Sequence, residues 1–417
     1  MSAPDTHTTI EAIWRIEQAK IIAGLARMVR DVGRAEELAQ DALLVALQRW
    51  PEQGIPDNPA AWLMATAKNR ALDELRRAKL IARKHEEIGR EMDEADEPNL
   101  DAALDDDIGD DLLRLVFTSC HPLLSSEGRV ALTLRLIGGL TTEEIARAFL
   151  VPEPTVAQRI VRAKRTLADA KVPFEVPRGE ALAERLSSVL EVIYLIFNEG
   201  YAATAGDDWV RPGLCEEALR LGRILAELAP AEPEVHGLVA LMEIQGSRLA
   251  ARVSPSGEPV LLLDQNRARW DHLLIRRGLA ALARAERLNE ERGPYVLQAA
   301  IAACHARART ADETDWTRIA DLYRELAERT PSPVVELNRA VAVAMAHGPA
   351  AGLELVDALT AEPTLKSYHL LPSVRGEFLK KLGRLDEARV EFERAASLTQ
   401  NARERKLLRD RAAALAT

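Results

Sequence analysis

Aromatic side chains and cysteines are scarce in this sequence. Phe, Trp and Tyr together make up 4% of the 417 residues, and there are three cysteines. Strands are enriched in aromatic and β-branched residues, whereas the abundant residues here, Ala, Leu, Arg and Glu, favour helices. We therefore expect an all-α protein.

The cysteines limit the kinds of site that the chain can carry. Cys120, Cys215 and Cys304 lie roughly a hundred residues apart with no C-x-x-C pair, which argues against a disulfide framework and a structural zinc site. His121 follows Cys120, but two potential ligands without partners usually belong to a core. The sequence predicts no metal site and no cofactor, and the scattered thiols indicate a cytoplasmic protein.

Long apolar runs and catalytic motifs are lacking too. The longest apolar stretch, 189–197, is interrupted by Glu191, and no signal-peptide pattern opens the chain. We therefore expect no membrane association. H-E-x-x-H, P-loop and G-x-S-x-G motifs are missing, so the sequence does not predict an enzyme.

The negative charge is unevenly distributed. The net charge of −10 argues, taken alone, against a nucleic-acid partner. However, residues 86–111 hold thirteen acids and one base. So acidic a segment resists burial and is typical of a linker. The rest of the chain is slightly basic.

The block before this segment has a helical pattern. Apolar residues recur at helical spacing over 10–29 and 35–50, and Pro51 is predicted to end the second helix. Residues 51–59 have the composition of an irregular loop. A third helix follows from Ala60, and residues 62–85 carry seven bases against two acids. Such a basic helix attracts phosphates, or it is an ordinary solvated helix face.

The block after the segment predicts a helix-turn-helix. Thr141 and Glu144 have the spacing of a capping box, and a short helix is expected over 143–150. Residues 151–154 interrupt it, and a second helix over 155–167 is basic without any acid. In a helix-turn-helix, this second helix enters the DNA major groove. The alternative is an ordinary helical hairpin.

These motifs resemble the sigma-70 family, specifically its extracytoplasmic-function (ECF) group, over about residues 10–171. The resemblance is carried by 36–42, by 58–63 with 69–77, and by matches within 134–165. Pro154 and Ala157 depart from the family, which usually has Gly and Lys there. The resemblance implies promoter DNA and core RNA polymerase as partners, the latter through its beta-prime clamp helices and beta flap.

The resemblance also implies three sets of site residues. Core polymerase would contact Glu37, Leu38, Gln40 and Asp41. The −10 promoter element would contact Gly54, Asp57, Asn58, Trp62, Lys68, Asn69, Arg70, Asp73, Arg76 and Arg77. The −35 element would contact Thr155, Val156, Gln158, Arg159, Arg162, Lys164 and Arg165. An irregular loop before a basic helix suits the capture of an unstacked base.

The remainder of the chain has a repetitive helical pattern. Helix pairs are predicted over 214–228 with 234–245, 294–307 with 316–329, and 333–346 with 350–359, with a further helix at 270–288. The clearest copy, from Tyr368 onward, has the spacing of a tetratricopeptide repeat in Gly376, Gly383, Ala388, Phe392 and Ala395. We expect a superhelix with a concave surface.

Two stretches stand out from this pattern. Residues 254–259 predict an inserted turn, followed by a short extended segment at 260–263. Residues 194–201 are the most aromatic part of the chain. They predict either a buried helix that ends at Gly200 or a docking surface for the sigma-like regions.

The predicted organisation is therefore sigma region 2 (1–85), an acidic flexible linker (86–111), a helix-turn-helix region 4 (112–172) and a tetratricopeptide-like α-solenoid (173–417). The architecture resembles a sigma subgroup whose fused C-terminal domain tunes activity, with possible intramolecular docking on the sigma regions. The linker is hypothesised to imitate nucleic acid in the RNA channel of the polymerase. The alternative function is a helical-repeat adaptor with a generic helix-turn-helix module.

Overall fold

All regular elements in the described part of the chain are helices. A computed structural model describes residues 3–86, 108–149, 151–203, 209–255 and 257–415. Besides helices it contains one isolated bridge, between Val253 and Pro259. The predicted all-α fold is thus confirmed. Most of the predicted linker, residues 87–107, lies outside the described residues. No described helix is long and apolar enough to cross a membrane.

The chain divides into two units, Met1–Val192 and Ile193–Thr417. The helices of the first unit are α1 (Ala3–Val29), α2 (Val32–Gln53), α3 (Pro59–Glu86), α4 (Ile108–Ser119), α5 (Ser126–Leu136), α6 (Thr142–Phe149) and α7 (Glu153–Asp169). The next helix, α8 (Glu180–Tyr201), begins in this unit and ends in the second.

Small and aliphatic residues bring α1 and α2 together. Ile21 and Leu25 of α1 and Leu38 of α2 are at most 1% exposed. Four alanines of α2 that recur at helical spacing are fully buried: Ala35, Ala39, Ala42 and Ala46. Their small side chains allow close packing, and α1 contacts α2, α3 and α4. The predicted apolar faces of the first helices are therefore the faces that form the core.

Two predicted helix ends were wrong, both at prolines. Helix α2 continues through Pro51 to Gln53, because Gly54 adopts a φ of 85° and its N–H bonds the carbonyl of Trp50 at 3.0 Å, which closes the last turn. Helix α7 begins at Glu153, two residues earlier than predicted. Pro154 is tolerated there because the first turn of a helix needs no N–H donor.

The helices of the second unit contact their chain neighbours in succession. They are α9 (Pro212–Leu228), α10 (Pro233–Gly246), α11 (His272–Leu288), α12 (Pro294–Arg307), α13 (Trp316–Arg329), α14 (Pro333–His347), α15 (Pro349–Leu359), α16 (Leu370–Lys381), α17 (Leu385–Leu398) and α18 (Ala402–Ala413). The predicted helices of this part are confirmed, and the bounds of α12 and α13 match to the residue.

Helices α16 and α17 show why a small residue is needed where two helices cross. A Cβ at Gly376 would lie 3.1 Å from the ring of Phe392, which is itself fully buried. Ala388 and Ala395 are buried beside it, and Gly383 adopts a φ of 79° in the turn between the helices. The sequence spacing thus describes a packed helix pair. That the unit is a tetratricopeptide array remains a prediction.

The connection between α10 and α11 differs from the other connections of this unit in its length. It spans residues 247–271 and contains three short 3₁₀ turns, Leu249–Ala251, Leu262–Asp264 and Arg267–Arg269. The predicted extended segment at 260–263 holds for its first half, where Leu261 is extended, and is wrong for 262–263. There the N–H of Asp264 bonds the carbonyl of Leu261 at 2.9 Å and closes a 3₁₀ turn.

Candidate nucleic-acid interface

Helix α7 has one buried and one exposed face. Val156, Ile160, Ala163 and Leu167 are buried at helical spacing. The opposite face exposes Gln158, Val161, Arg162 and Arg165, whereas Thr155, Arg159 and Lys164 are partly buried. Val156, a predicted −35 contact, is 1% exposed and so orients the helix instead of presenting a surface. Arg162 on this face is exposed, and Arg165 pairs with Asp169 at 3.4 Å at the surface. Side chains of these types contact DNA phosphates or bases.

Sequence reasoning missed Val161. This side chain is 66% exposed, between Gln158 and Arg162 on the same helix face. An exposed valine surrounded by polar residues was visible in the sequence once the buried stripe had been assigned, because it falls out of phase with that stripe. Apolar side chains at such positions can contact thymine methyl groups.

A capping box fixes the start of α6 and thus the approach of α6 to α7. The hydroxyl of Thr141 accepts from the N–H of Glu144 at 3.1 Å, and the Glu144 carboxylate accepts from the N–H of Thr141 at 2.8 Å. Helix α7 packs on α5 and α6. The predicted box is confirmed, and the two helices have the helix-turn-helix order.

The loop between α2 and α3 is exposed, as the capture of a base requires. Gly54, Asp57 and Asn58 are exposed, and Asn58 also caps α3 by accepting from the N–H of Ala61 at 3.1 Å. Trp62 lies edge-on against the buried Trp50, with ring centroids 5.2 Å apart. This contact ties the beginning of α3 to the end of α2 and holds the loop between them.

Ion pairs link α2 to α3, and one of them joins a predicted polymerase residue to a predicted −10 residue. Asp41 binds Arg70 at 2.6 Å. Arg34 bridges Glu74, at 2.8 Å from its Nε, and Glu37. The hydrogen bonds to Glu74 and Glu37 raise the pKa of Arg34 above its ordinary value. These pairs hold the two helices in register.

The other predicted −10 side chains vary in exposure. Lys68 is partly buried, whereas Asn69, Arg70, Asp73, Arg76 and Arg77 are exposed, with Asp73 and Arg76 forming a pair at 3.7 Å. The bases beyond Arg77 lie outside the side chains that the structure describes. Among the predicted polymerase residues, Leu38 is buried and Glu37 is exposed.

A buried carboxylate joins α2 to the helix-turn-helix. Glu36 is 4% exposed. It accepts hydrogen bonds from Nε of Arg135 on α5 and from Nε2 of Gln40, each at 2.7 Å, and it pairs with Lys164 on α7. Lys164, a predicted −35 residue, is therefore bound to α2, the helix that carries the predicted polymerase residues.

Further ion pairs lie along the same contact. Arg15 of α1 binds Glu144 of α6 at 2.8 Å, and Arg27 of α1 binds Asp111 of α4 at 3.2 Å. Burial opposes ionisation of Glu144, but the N–H of Thr141 and the charge of Arg15 outweigh it and hold the pKa of this carboxyl below its usual value. The helix-turn-helix thus packs directly on α1 and α2.

A basic helix-turn-helix packed on a helical unit with a second basic helix defines a DNA-binding protein of transcription. Residues 14–81 match sigma-70 region 2, and residues 114–167 match sigma-70, region 4. The chain belongs to the ECF group of the sigma-70 family of RNA polymerase sigma factors. These two regions imply core RNA polymerase and promoter DNA as partners. Residues 185–286 match a family of unknown function (DUF6596).

Two kinds of relative are similar to this chain. "Uncharacterized protein R00370" of Rhizobium meliloti (strain 1021) is 44% identical over 389 residues, which cover 93% of this chain and 91% of that protein. "Probable ECF RNA polymerase sigma factor SigI" of Mycobacterium tuberculosis (strain ATCC 25618 / H37Rv) is 29% identical over 171 residues, which cover 41% of this chain and 58% of that protein. "ECF RNA polymerase sigma factor SigK" of Mycobacterium ulcerans (strain Agy99) is 29% identical over 148 residues, covering 34% and 75%.

Proposed function

We propose that this sigma factor reads the −35 element through the exposed face of α7 and the −10 element through α3 and the loop before it. The observation that carries the proposal is the division of α7 into a buried apolar stripe and an exposed face with Gln158, Arg162 and Arg165. Arginine and glutamine read guanine and adenine edges in the major groove. Replacing Arg162 with Ala should weaken binding to a −35 duplex by roughly 1 to 3 kcal/mol if it contacts a base.

Val161 belongs to the same reading face. Its exposure next to Arg162 supports contact with the methyl group of a thymine. The test compares −35 duplexes that carry thymine or uracil at each position, for the native chain and for Val161→Ala. Loss of the thymine preference at one position in Val161→Ala supports this role, and an unchanged preference rejects it.

Binding to both promoter elements requires the helix-turn-helix to leave α2. The −10 and −35 elements are about 25 base pairs apart, which at about 3.4 Å per base pair is roughly 85 Å of duplex. With Lys164 bound to Glu36, the two regions are in contact. We infer that this closed arrangement opens when the chain binds polymerase and promoter together.

The core-binding proposal is that two acidic side chains of α2, the exposed Glu37 and the half-buried Asp41, contact the clamp helices of the beta-prime subunit. Replacing both with Ala should abolish co-purification with core polymerase and keep the helical spectrum. The matched control replaces two exposed acids of the same unit, Glu11 and Glu52. Equal core binding by both double variants would reject these contacts.

The alternative is a repeat-domain adaptor with a generic helix-turn-helix. It is favoured by the length of the second unit, which begins at Ile193 and holds most of residues 185–286, the range that matches a family of unknown function. The two proposals separate in one assay: a sigma factor gives promoter-dependent transcripts only when core polymerase is present. DNA binding without any transcript in that assay would support the adaptor.

We also propose that the second unit modulates sigma activity by docking on the sigma regions, and that the protein is cytoplasmic and not an enzyme. A truncated variant must keep the first part of α8, because α8 bonds the first unit. Ser188 donates to the carbonyl of Cys120 at 2.6 Å, and Arg185 donates to that of Phe117 at 2.7 Å. Truncation after Lys171 would remove these bonds, so we compare the full chain with residues 1–192. Unchanged transcription would reject modulation.

A further inference from the structure

The second unit contains a group of arginines and aromatic rings that the sigma function does not use. Arg248 and Arg252 follow α10, and Trp270 precedes α11, so all three lie on the long connection 247–271. With Tyr201, at the end of α8, and His305, near the end of α12, we call them the arginine cluster.

The guanidinium groups lie on aromatic rings. The Cζ of Arg252 is 3.7 Å from the ring centroid of Tyr201. The Cζ of Arg248 lies between two rings, 5.8 Å from the centroid of Tyr201 and 5.7 Å from that of Trp270. Such stacking offsets part of the cost of removing a cation from water, but it supplies no counter-charge.

The cluster carries positive charge without a matching carboxylate. Arg248 is 6% exposed, yet among the described residues no Asp or Glu pairs with it or with Arg252. Burial lowers the pKa of Arg252, and the nearby charge of Arg248 acts in the same direction. A third cation, Arg267, donates hydrogen bonds to the carbonyls of His305 and Ala308. Burial lowers the pKa of Arg267, and the charge of the exposed Glu313 acts to raise it. A buried charge without a partner is strongly unfavourable.

Polar atoms around these arginines also lack partners. The buried atoms without a hydrogen-bond partner include Nε of Arg248 and Arg252, Oε1 of Gln265, Nε1 of Trp270 and Nδ1 of His305. Gln265, Trp270 and His305 are at most 7% exposed. Buried polar groups of native proteins are nearly always bonded, and an exception commonly indicates an ion or a water. Three of these atoms, Nε of Arg248 and Arg252 and Nε1 of Trp270, are donors beside cations that have no carboxylate partner, so together they offer bonds to an anion. The Oε1 of Gln265 is an acceptor and does not take part in this argument.

We propose that the arginine cluster binds a small oxyanion, a carboxylate or phosphate group whose oxygens accept from Arg248, Arg252 and Trp270. Arginine forks match the oxygens of both groups. The site would make the second unit a ligand-binding domain. This proposal does not depend on how the first unit binds DNA.

The test is thermal unfolding of the full chain, followed by tryptophan fluorescence, in titrations with sodium phosphate, sulfate, acetate and benzoate. Ionic strength is held constant with chloride. We expect at least one oxyanion to raise Tm in a saturable way, because a ligand that binds only the native state stabilises it. The order of the four anions distinguishes a phosphate site from a carboxylate site.

Two variants and a control separate the site from general salt effects. Arg248→Gln should lose the saturable shift, and its Tm without oxyanion should equal or exceed that of the native chain, because an unpaired buried charge is gone. Arg248→Lys should keep a weakened shift. The control, Arg276→Gln, changes an exposed arginine of α11 and should respond like the native chain.

Two results would overturn the proposal. One is an equal shift in the native chain and in Arg248→Gln, since phosphate and sulfate stabilise proteins generally by exclusion from their surface. The other is the lack of any saturable shift in the native chain. If Arg248→Gln does not fold, the native chain and Arg252→Gln are titrated by calorimetry with the same four anions. Binding by the native chain that is lost in Arg252→Gln supports the proposal, and equal binding or none overturns it.

Discussion

Both units bury a carboxylate between cations, but in its described residues the second unit also buries an arginine that has no carboxylate partner. In the first, Glu36 is 4% exposed and has cations on both sides, Arg135 and Lys164. In the second, Glu243 is 1% exposed and lies near Arg223 at 2.9 Å and Arg277 at 3.6 Å. Arg248 of the same unit is 6% exposed and has no carboxylate partner among the described residues. The carboxylates of Glu36 and Glu243 are neutralised within the chain and so contribute to its stability. The guanidinium of Arg248 is not, which is why we propose that a ligand binds it.

The largest effect is expected from Glu36→Gln. It leaves Arg135 and Lys164, each about a quarter exposed, without their counter-charge. We expect the free energy of unfolding to fall by about 2 to 4 kcal/mol in urea titrations, since breaking a buried pair leaves an unpaired charge. Binding to a −35 duplex should become tighter, because Lys164 is released.

The control for this prediction is Glu37→Gln on the next, exposed position, whose carboxylate is 63% exposed. Exposed pairs contribute little to stability, so its unfolding free energy should change by less than about 1 kcal/mol. If both variants unfold alike, the contact at Glu36 does not hold the two regions together.

A smaller loss is expected from Glu243→Gln. Its partners Arg223 and Arg277 are 34% and 49% exposed and can turn toward water once the carboxylate is gone. We expect a loss of about 1 to 2 kcal/mol in the same titrations. If the free energy of unfolding falls further in Glu243→Gln than in Glu36→Gln, the exposure of the paired cations does not determine how destabilising the loss of a buried carboxylate is.

The smallest effect concerns His305 and pH. Burial, and then the charges of Arg248 and Arg267, lower its pKa to about 3, whereas an unfolded histidine titrates near 6.5. Between these values the unfolded state binds one proton more, so stability should decline as pH falls through this window, by at most about 1.4 kcal/mol per pH unit.

This decline is measured as the unfolding free energy between about pH 6.5 and 5.5. His305→Gln should reduce the slope, and the remainder includes His121, whose pKa burial lowers to about 4. An oxyanion at the arginine cluster would offset the cations around His305 and flatten the slope of the native chain. An identical slope in the native chain and in His305→Gln contradicts the assignment.

Local patterns in the sequence predict helices, caps and the helix-turn-helix. The apolar spacing places the buried faces of α1, α2 and α7, and the pair of Thr141 and Glu144 forms the expected box. The predicted helix ends at Pro51 and Pro154 were wrong. Proline is unfavourable in the interior of a helix but is tolerated in a terminal turn, where both of these prolines lie.

Contacts between distant segments could not be predicted in this way. Arg135 lies 99 residues from Glu36, and no local spacing relates them. The same holds for Arg248 and His305, which come from different elements. Two signals pointed toward the arginine cluster: the aromatic stretch that ends at Tyr201 and the turn inside a long connection. Neither indicates which charges meet there.

Under the proposed opening, the contact between Glu36 and Lys164 determines what fraction of the free chain can bind DNA. When one molecule in about 100 is open, the apparent Kd for a promoter is about 100-fold weaker than the intrinsic one. A polymerase that binds only the open form restores this factor. Promoters are then bound by the chain in complex with polymerase, and the free chain does not compete for them.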